Sequence, residues 1–259
     1  VCIADKQLEE LRSQVQGGFL IQSHKVEGGV HHFCFPSLEH NYTLGVPESP
    51  ALRTFLESPE FQDALLVPVT IGVAMLDIVG FSSQPDDVQF KMIVRYQCLV
   101  HAALKGKSIR KMISIGDGTI FIFDEDHIGN MPQWLYEIDH ELAGYNLDFG
   151  NDGVPQIEGR IGLHVGEAYR IKDVNGEENY IGTAVNLAQR VSTCVPTGRD
   201  GEQAPFDLQS TIYVSAAAYK VFAQKGIPQG FVFNDAGVKT VKHGEKIHVY
   251  AMQKYTDDT

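Results

Sequence analysis

Asp77, Asp117, Asn186 and Arg190 are the residues whose types and spacing carry chemistry. Asp77 closes the apolar run Val73, Ala74, Met75, Leu76 and is followed by the turn Ile78, Val79, Gly80, Phe81. An unbroken apolar run fits a central strand, so Asp77 lies where that strand leaves the core. The Gly80 turn, with Ser82, Ser83 and Pro85 starting a helix, points backbone N–H groups at an anion. A carboxylate beside a phosphate cradle calls for a cation between them; the ordinary alternative is that Asp77 caps the next helix. Asp117 sits in the tight hairpin Ile115, Gly116, Asp117, Gly118. If the hairpin neighbours the first strand, Asp77 and Asp117 meet at one edge of a sheet. Two facing carboxylates repel unless one protonates or cations bind, and a two-metal centre is one resolution. Taken alone, Asp before Gly is a common turn residue. Asn186 and Arg190, four apart on an expected helix, share a face. Asn suits a ring oxygen or hydroxyl, and Arg suits charge developing on a phosphoryl group. A solvated helix face explains the same pair without chemistry.

The elements that must position these residues follow from periodicity. A strand reaches Asp77, and a helix follows over about 86–104 with Met92, Ile93, Tyr96, Leu99, Val100 and Ala103 on one face. Strands at 110–115 and 119–123 flank the hairpin, a helix covers 134–147, and a long strand covers 158–171. After a turn at Asn175-Gly176 come Asn179 and a helix over 183–192. A polar loop at 195–210, a strand at 212–214, a helix through Phe222 and strands at 231–233 and 247–252 complete the chain. The order β-α-β-β-α-β with C-terminal additions is an α+β, ferredoxin-like split βαβ sandwich. Residues 1–66 read as an N-terminal extension and 67–259 as the main domain. Within the extension we expect a short helix at 8–15, a hairpin around His31, His32 and Cys34, a loop through Pro36, Pro47 and Pro50, and a helix at 51–66 interrupted by Pro59. Adjacent histidines on a strand face opposite ways, which argues against a metal site at the His31-His32 pair.

Composition narrows the function classes. The chain has 259 residues, 43% hydrophobic, with a net charge of −12. That charge argues against nucleic acid and anionic membrane surfaces as partners. No apolar run approaches the roughly 20 residues needed to cross a bilayer. Cys2, Cys34, Cys98 and Cys194 are scattered, without metal-ligand or disulfide spacing, so a cytoplasmic location is expected.

Together these stretches resemble the catalytic domain of class III nucleotidyl cyclases, the adenylate and guanylate cyclases. Asp77-Ile78-Val79-Gly80-Phe81-Ser82 looks like that family's first metal motif, and Ile115-Gly116-Asp117 like its second. Gly162-Leu163-His164-Val165-Gly166 matches the strand before its dimer helix, and the run from Gly182 to Arg190 its transition-state motif. The resemblance covers about residues 67–252. It implies two Mg²⁺ or Mn²⁺ ions held by Asp77, Asp117 and the backbone carbonyl of Ile78. It implies phosphates cradled by Val79, Gly80 and Phe81, a ribose oriented by Asn186 and a transition state stabilised by Arg190. Lys242 falls near the family's phosphate-binding lysine, although the usual Lys-Gly-Lys pattern is broken. In the family the carboxylates and the Asn–Arg pair come from different subunits, so a head-to-tail homodimer with two composite sites is implied. Two positions depart from the pattern. Ile113 stands where adenylate cyclases carry Lys and guanylate cyclases Glu, and Asn179 where the family has Asp or Cys. The bacterial pyrimidine cyclases of anti-phage defence resemble class III domains with altered base pockets. The expectation is therefore cyclisation of a pyrimidine nucleoside triphosphate, UTP before CTP. Adenylate cyclase is the next reading, and a regulatory nucleotide-binding module without turnover is the alternative of a different class.

Overall fold

The computed structural model describes residues 3–36, 41–149, 155–173, 175–195 and 211–255. By contact density the chain divides into two compact units, Val1–Val69 with Tyr169–Ile181, and Thr70–Ala168 with Gly182–Thr259.

The first unit carries α1 (Ile3–Gln16), the strands β1 (Ser23–Glu27), β2 (Val30–Phe35) and β3 (Tyr42–Pro47), and the helices α2 (Pro50–Leu56) and α3 (Pro59–Ala64). The three strands form an antiparallel sheet in the order β1-β2-β3. Leu8, Leu11, Phe33, Phe35, Val46, Leu52 and Phe61 make its own buried core. Ser49 and Ser58 cap α2 and α3, and Pro50 and Pro59 occupy their first turns, where a missing N–H costs nothing. The proline-rich stretch expected to be a loop contains β3. Pro47 pairs with Val30 at the end of an edge strand, where proline is tolerated. His31 and His32 do alternate: His31 is buried, and its ring nitrogens bond His24 and Glu48.

The second unit is built on a sheet ordered β10-β11-β9-β7-β4-β6-β5. These strands are β4 (Pro68–Ile78), β5 (Lys111–Ser114), β6 (Gly118–Asp124), β7 (Gly159–Lys172), β9 (Ile212–Ser215), β10 (Phe231–Thr240) and β11 (Lys246–Lys254). The run β7-β4-β6-β5 is the ferredoxin-like order expected of the split βαβ core. The hairpin partner β8 (Glu178–Ile181) pairs with the far end of β7, and that hairpin groups with the first unit. One face of the sheet is covered by α4 (Asp86–Leu104) and α5 (Met131–Phe149). Ala74, Leu76 and Phe121 from the strands meet Met92, Tyr96, Leu135 and Ile138 there. The residues of β7 that alternate to the other face are Gly162, His164 and Gly166. A Cβ at Gly162 would lie 2.1 Å from the backbone nitrogen of Ser192, and one at Gly166 would lie 3.4 Å from the Cβ of Ala184. Both Ser192 and Ala184 belong to α6 (Thr183–Ser192), so the paired glycines let that helix lie directly on the strand. Val191, fully buried against Tyr213, Val249 and Ala251, contributes on the order of 2 kcal/mol to that docking. The helix α7 (Ala216–Lys225) is capped by Ser215. The expected polar loop at 195–210 lies, beyond Val195, outside the described residues.

Candidate functional site

Asp77 is the penultimate residue of β4, and Asp117 lies in the turn between β5 and β6. The antiparallel register pairs Asp77 with Gly118, and the amide of Ile78 donates to the carbonyl of Asp117 over 2.9 Å. The hairpin closes through the Ile115 amide donating to the Gly118 carbonyl, with Gly116 at a φ of 88° that favours glycine. The two acidic residues thus meet at one sheet edge. They line a cleft of about 400 Å³ on the α6 face, with Met75, Ile115, Ile120 and Arg160. Gln189, Ser192 and Thr193, at the end of α6, close its other side.

Sequence reasoning missed Arg160. Its Nε and Nη2 donate to Asp77 Oδ2 at 2.7 and 2.6 Å. The signal was available: an arginine inside the apolar run from Gly159 to Val165 must find a carboxylate, because a buried charge is costly unless paired. Even with Arg160 in place, the Asp77 carboxyl is held above the ordinary range. Burial is the largest cause; Arg160 opposes it, and the charge of Asp117 adds to it. The cleft therefore has more negative charge than its one arginine compensates, and a divalent cation would relieve that. The donors are all oxygen, which suits Mg²⁺ or Mn²⁺. Among the described residues no group of three or more His, Cys, Asp and Glu side chains is placed to hold a metal. Mg²⁺ commonly takes one or two protein carboxylates and completes its shell with water and substrate phosphate, so Asp77 and Asp117 fit that role.

A separate turn lies between Asp77 and the helix, which starts at Asp86 as expected, with Pro85 at its N-cap position. Gly80 has φ 70°, and Phe81–Ser83 form a single 3₁₀ turn closed by Ser83 Oγ donating to the Gly80 carbonyl over 2.7 Å. Asp86 and Asp87 lie in the first turn of α4. Those acids occupy the positive end of the helix dipole, which disfavours a further anion there, and of the residues expected to cradle phosphate Val79 has its amide bonded to the Glu158 carbonyl at 2.9 Å.

Asn186 and Arg190 both lie on α6, and neither lines the cleft of its own chain. Asn186 is exposed. Arg190 is half-buried, and its Nη1 makes an ion pair with Glu245 Oε2. Glu245 directly follows the turn Lys242–Gly244, which carries Lys242. Ile113 lies on β5 opposite Ile120, a cleft residue. Asn179 lies on β8 in the other compact unit, where its Oδ1 accepts from the Tyr180 amide at 2.8 Å.

No protein-family model and no curated protein matches the sequence. Solved structures do match. A bacterial light-regulated adenylyl cyclase is 20% identical, with 74% of this chain and 93% of that one covered at a TM-score of 0.57. The guanylate cyclase domain of RhGC from Catenaria anguillulae, solved in complex with GTP, is 19% identical, covering 73% and 100% at 0.56. A non-canonical dimeric guanylyl cyclase domain of the RhoGC fusion protein from the aquatic fungus Blastocladiella emersonii is 18% identical, covering 72% and 99% at 0.52. The fold is that of nucleotidyl cyclase domains. On this cyclase fold the described residues include no helix long and apolar enough to cross a membrane.

Proposed function

We propose that this chain is a nucleotidyl cyclase that converts a nucleoside triphosphate to its 3′,5′-cyclic monophosphate and pyrophosphate. The observation that carries the reading is the meeting of Asp77 and Asp117 in one cleft that is short of positive charge. Asp77, Asp117 and the Ile78 carbonyl would hold two Mg²⁺ or Mn²⁺ ions. Bound there, the ions would supply charge neutralisation for the triphosphate and a lowered pKa for the ribose 3′-hydroxyl. Backbone N–H groups of Gly80 and Phe81 would cradle the phosphates, the Val79 N–H being bonded to the Glu158 carbonyl, and Arg160 stands in the cleft as a fixed cation for a phosphate oxygen. The 3′-oxygen attacks the α-phosphorus in line, and pyrophosphate leaves.

Asn186 and Arg190 do not line the cleft of their own chain, which supports a homodimer in which each chain completes its partner's cleft. In that arrangement Asn186 orients the ribose, Arg190 donates N–H groups to the phosphoryl oxygens, and Lys242 is a further phosphate ligand. The exposed Asn186 side chain and Arg190, one turn on along α6, are the second half-site.

The base is a pyrimidine, UTP before CTP. Ile113 gives a base edge no side-chain hydrogen bond, and Asn179 can both donate and accept. Ile113, opposite the cleft residue Ile120, is the apolar wall of the base pocket. The test is incubation with Mn²⁺ and each of the four nucleoside triphosphates, with products identified by mass spectrometry. Cyclic UMP in excess of cyclic CMP is expected. Cyclic AMP or cyclic GMP without a pyrimidine product overturns the base assignment. No cyclic nucleotide from any of the four, with the nucleotide bound, leaves the non-catalytic binding module standing instead.

A further inference from the structure

We infer that Glu245 is a positioning residue for Arg190; the inference rests on the cyclase reading above. Arg190 sits in the last turn of α6, and a free arginine side chain samples many rotamers. Here its Nη1 is paired with Glu245 Oε2. A guanidinium has five N–H donors in a planar fork. One carboxylate contact fixes the fork and leaves donors for an incoming phosphoryl oxygen.

Glu245 is itself held. It ends the connection between β10 and β11, whose register pairs Thr240 with Lys246. The Val241 amide donates to the Glu245 carbonyl at 2.8 Å, and the Gly244 amide to the Val241 carbonyl at 3.1 Å. Within that turn His243 has φ 66° and Gly244 φ 73°. His243 is the sole non-glycine at positive φ among the described residues. Such a conformation costs about 1 kcal/mol or more and persists where the surroundings fix it. Leu187, Val191 and Val241 pack with Val249 in one cluster, so the helix carrying Arg190 and the turn carrying Glu245 share a rigid base.

The electrostatics argue for positioning over direct contact. A carboxylate beside phosphate repels it, so an anion here lowers affinity unless its effect is exerted through Arg190. Lys242, three residues before Glu245 on the same turn, adds a positive charge to that turn.

The experiment is a double-mutant cycle on the full chain, read as kcat and KM with Mn²⁺ and the preferred triphosphate. Glu245→Gln keeps the shape and removes the charge. It is expected to lower kcat 10- to 100-fold, the scale of a reacting group misplaced by about 1 Å, with KM within about twofold. In the Arg190→Ala background, read from its residual rate at high enzyme concentration, Glu245→Gln is expected to change nothing further, because the two act as a unit. Glu245→Asp is expected to recover part of the loss. Wild-type kcat in Glu245→Gln overturns the inference while leaving the cyclase reading intact, and so does an equal loss in both backgrounds. Full activity in Arg190→Ala overturns the role of Arg190 and the inference with it.

Discussion

Gly162→Ala adds one methyl at the contact between β7 and α6. An ideal Cβ there lies 2.1 Å from Ser192 N, 2.4 Å from Ala188 O and 2.7 Å from Ser192 Cα. All three atoms are helix backbone, so no side-chain rotation relieves the clash. To reach ordinary contact at 3.4 Å, α6 must retreat by about 1.3 Å from the strand. Overpacking of this kind costs about 1–3 kcal/mol, and the upper end applies because backbone must move. The same helix carries Asn186 and Arg190, and a misplacement of about 1 Å at a reacting centre costs on the order of 100-fold. The variant is therefore expected to unfold at a lower urea midpoint and to turn over nucleotide about 100-fold more slowly. Gly144→Ala in α5 is the matched control. Its Cβ meets nothing within 4 Å, and the change is expected to stabilise by up to about 1 kcal/mol with turnover unchanged. Wild-type stability and turnover in Gly162→Ala would refute the close seating of helix on strand.

Asp77→Asn and Asp117→Asn are each expected to abolish turnover while the circular dichroism spectrum stays native; activity in either variant, or in excess EDTA, contradicts the two-ion site. Mixing Asp117→Asn with Arg190→Ala chains is expected to restore about a quarter of wild-type activity, since half the dimers are mixed and each holds one intact cleft. No recovery after demonstrated subunit exchange rules out composite sites. The His164 imidazole is buried, bonded to Ser215 Oγ at 2.9 Å, and held down to about 4 from 6.5 by burial. The unfolded chain then binds the proton more readily. Stability is full above about pH 6.5 and falls as pH drops towards 4, by on the order of 3 kcal/mol. Urea midpoints across that range should show the slope, and His164→Asn should flatten it.

The sequence was most readable where one local signal dominated. The helices α4 and α6 lie where the apolar spacing placed them, and Pro59 separates α2 from α3 as its missing N–H requires. Asp77 and Asp117 could be placed together because the strand order of a split βαβ unit makes their elements neighbours. The misses have a common cause: they depend on partners distant in sequence. Pro47 marks a loop until the edge position of β3 is known. Arg160 signals a carboxylate partner by its place in an apolar run, but not that the partner is Asp77, 83 residues away, and Glu245 declares itself only through Arg190, 55 residues away along the chain.

The strand order also sets the order in which the chain comes apart. β4 lies between β7 and β6, with Val73, Ala74 and Leu76 fully buried, so its amides are expected to be among the last to exchange with solvent. The helix α6 has ten residues and rests on the sheet from outside, and such elements open at lower free energy. The two halves of the proposed machinery therefore differ in local stability. Under mild urea the half with Arg190 is expected to loosen first, while the strand end with Asp77 stays formed. Hydrogen exchange should resolve two opening events, with catalysis ending at the first and divalent-cation affinity at the second.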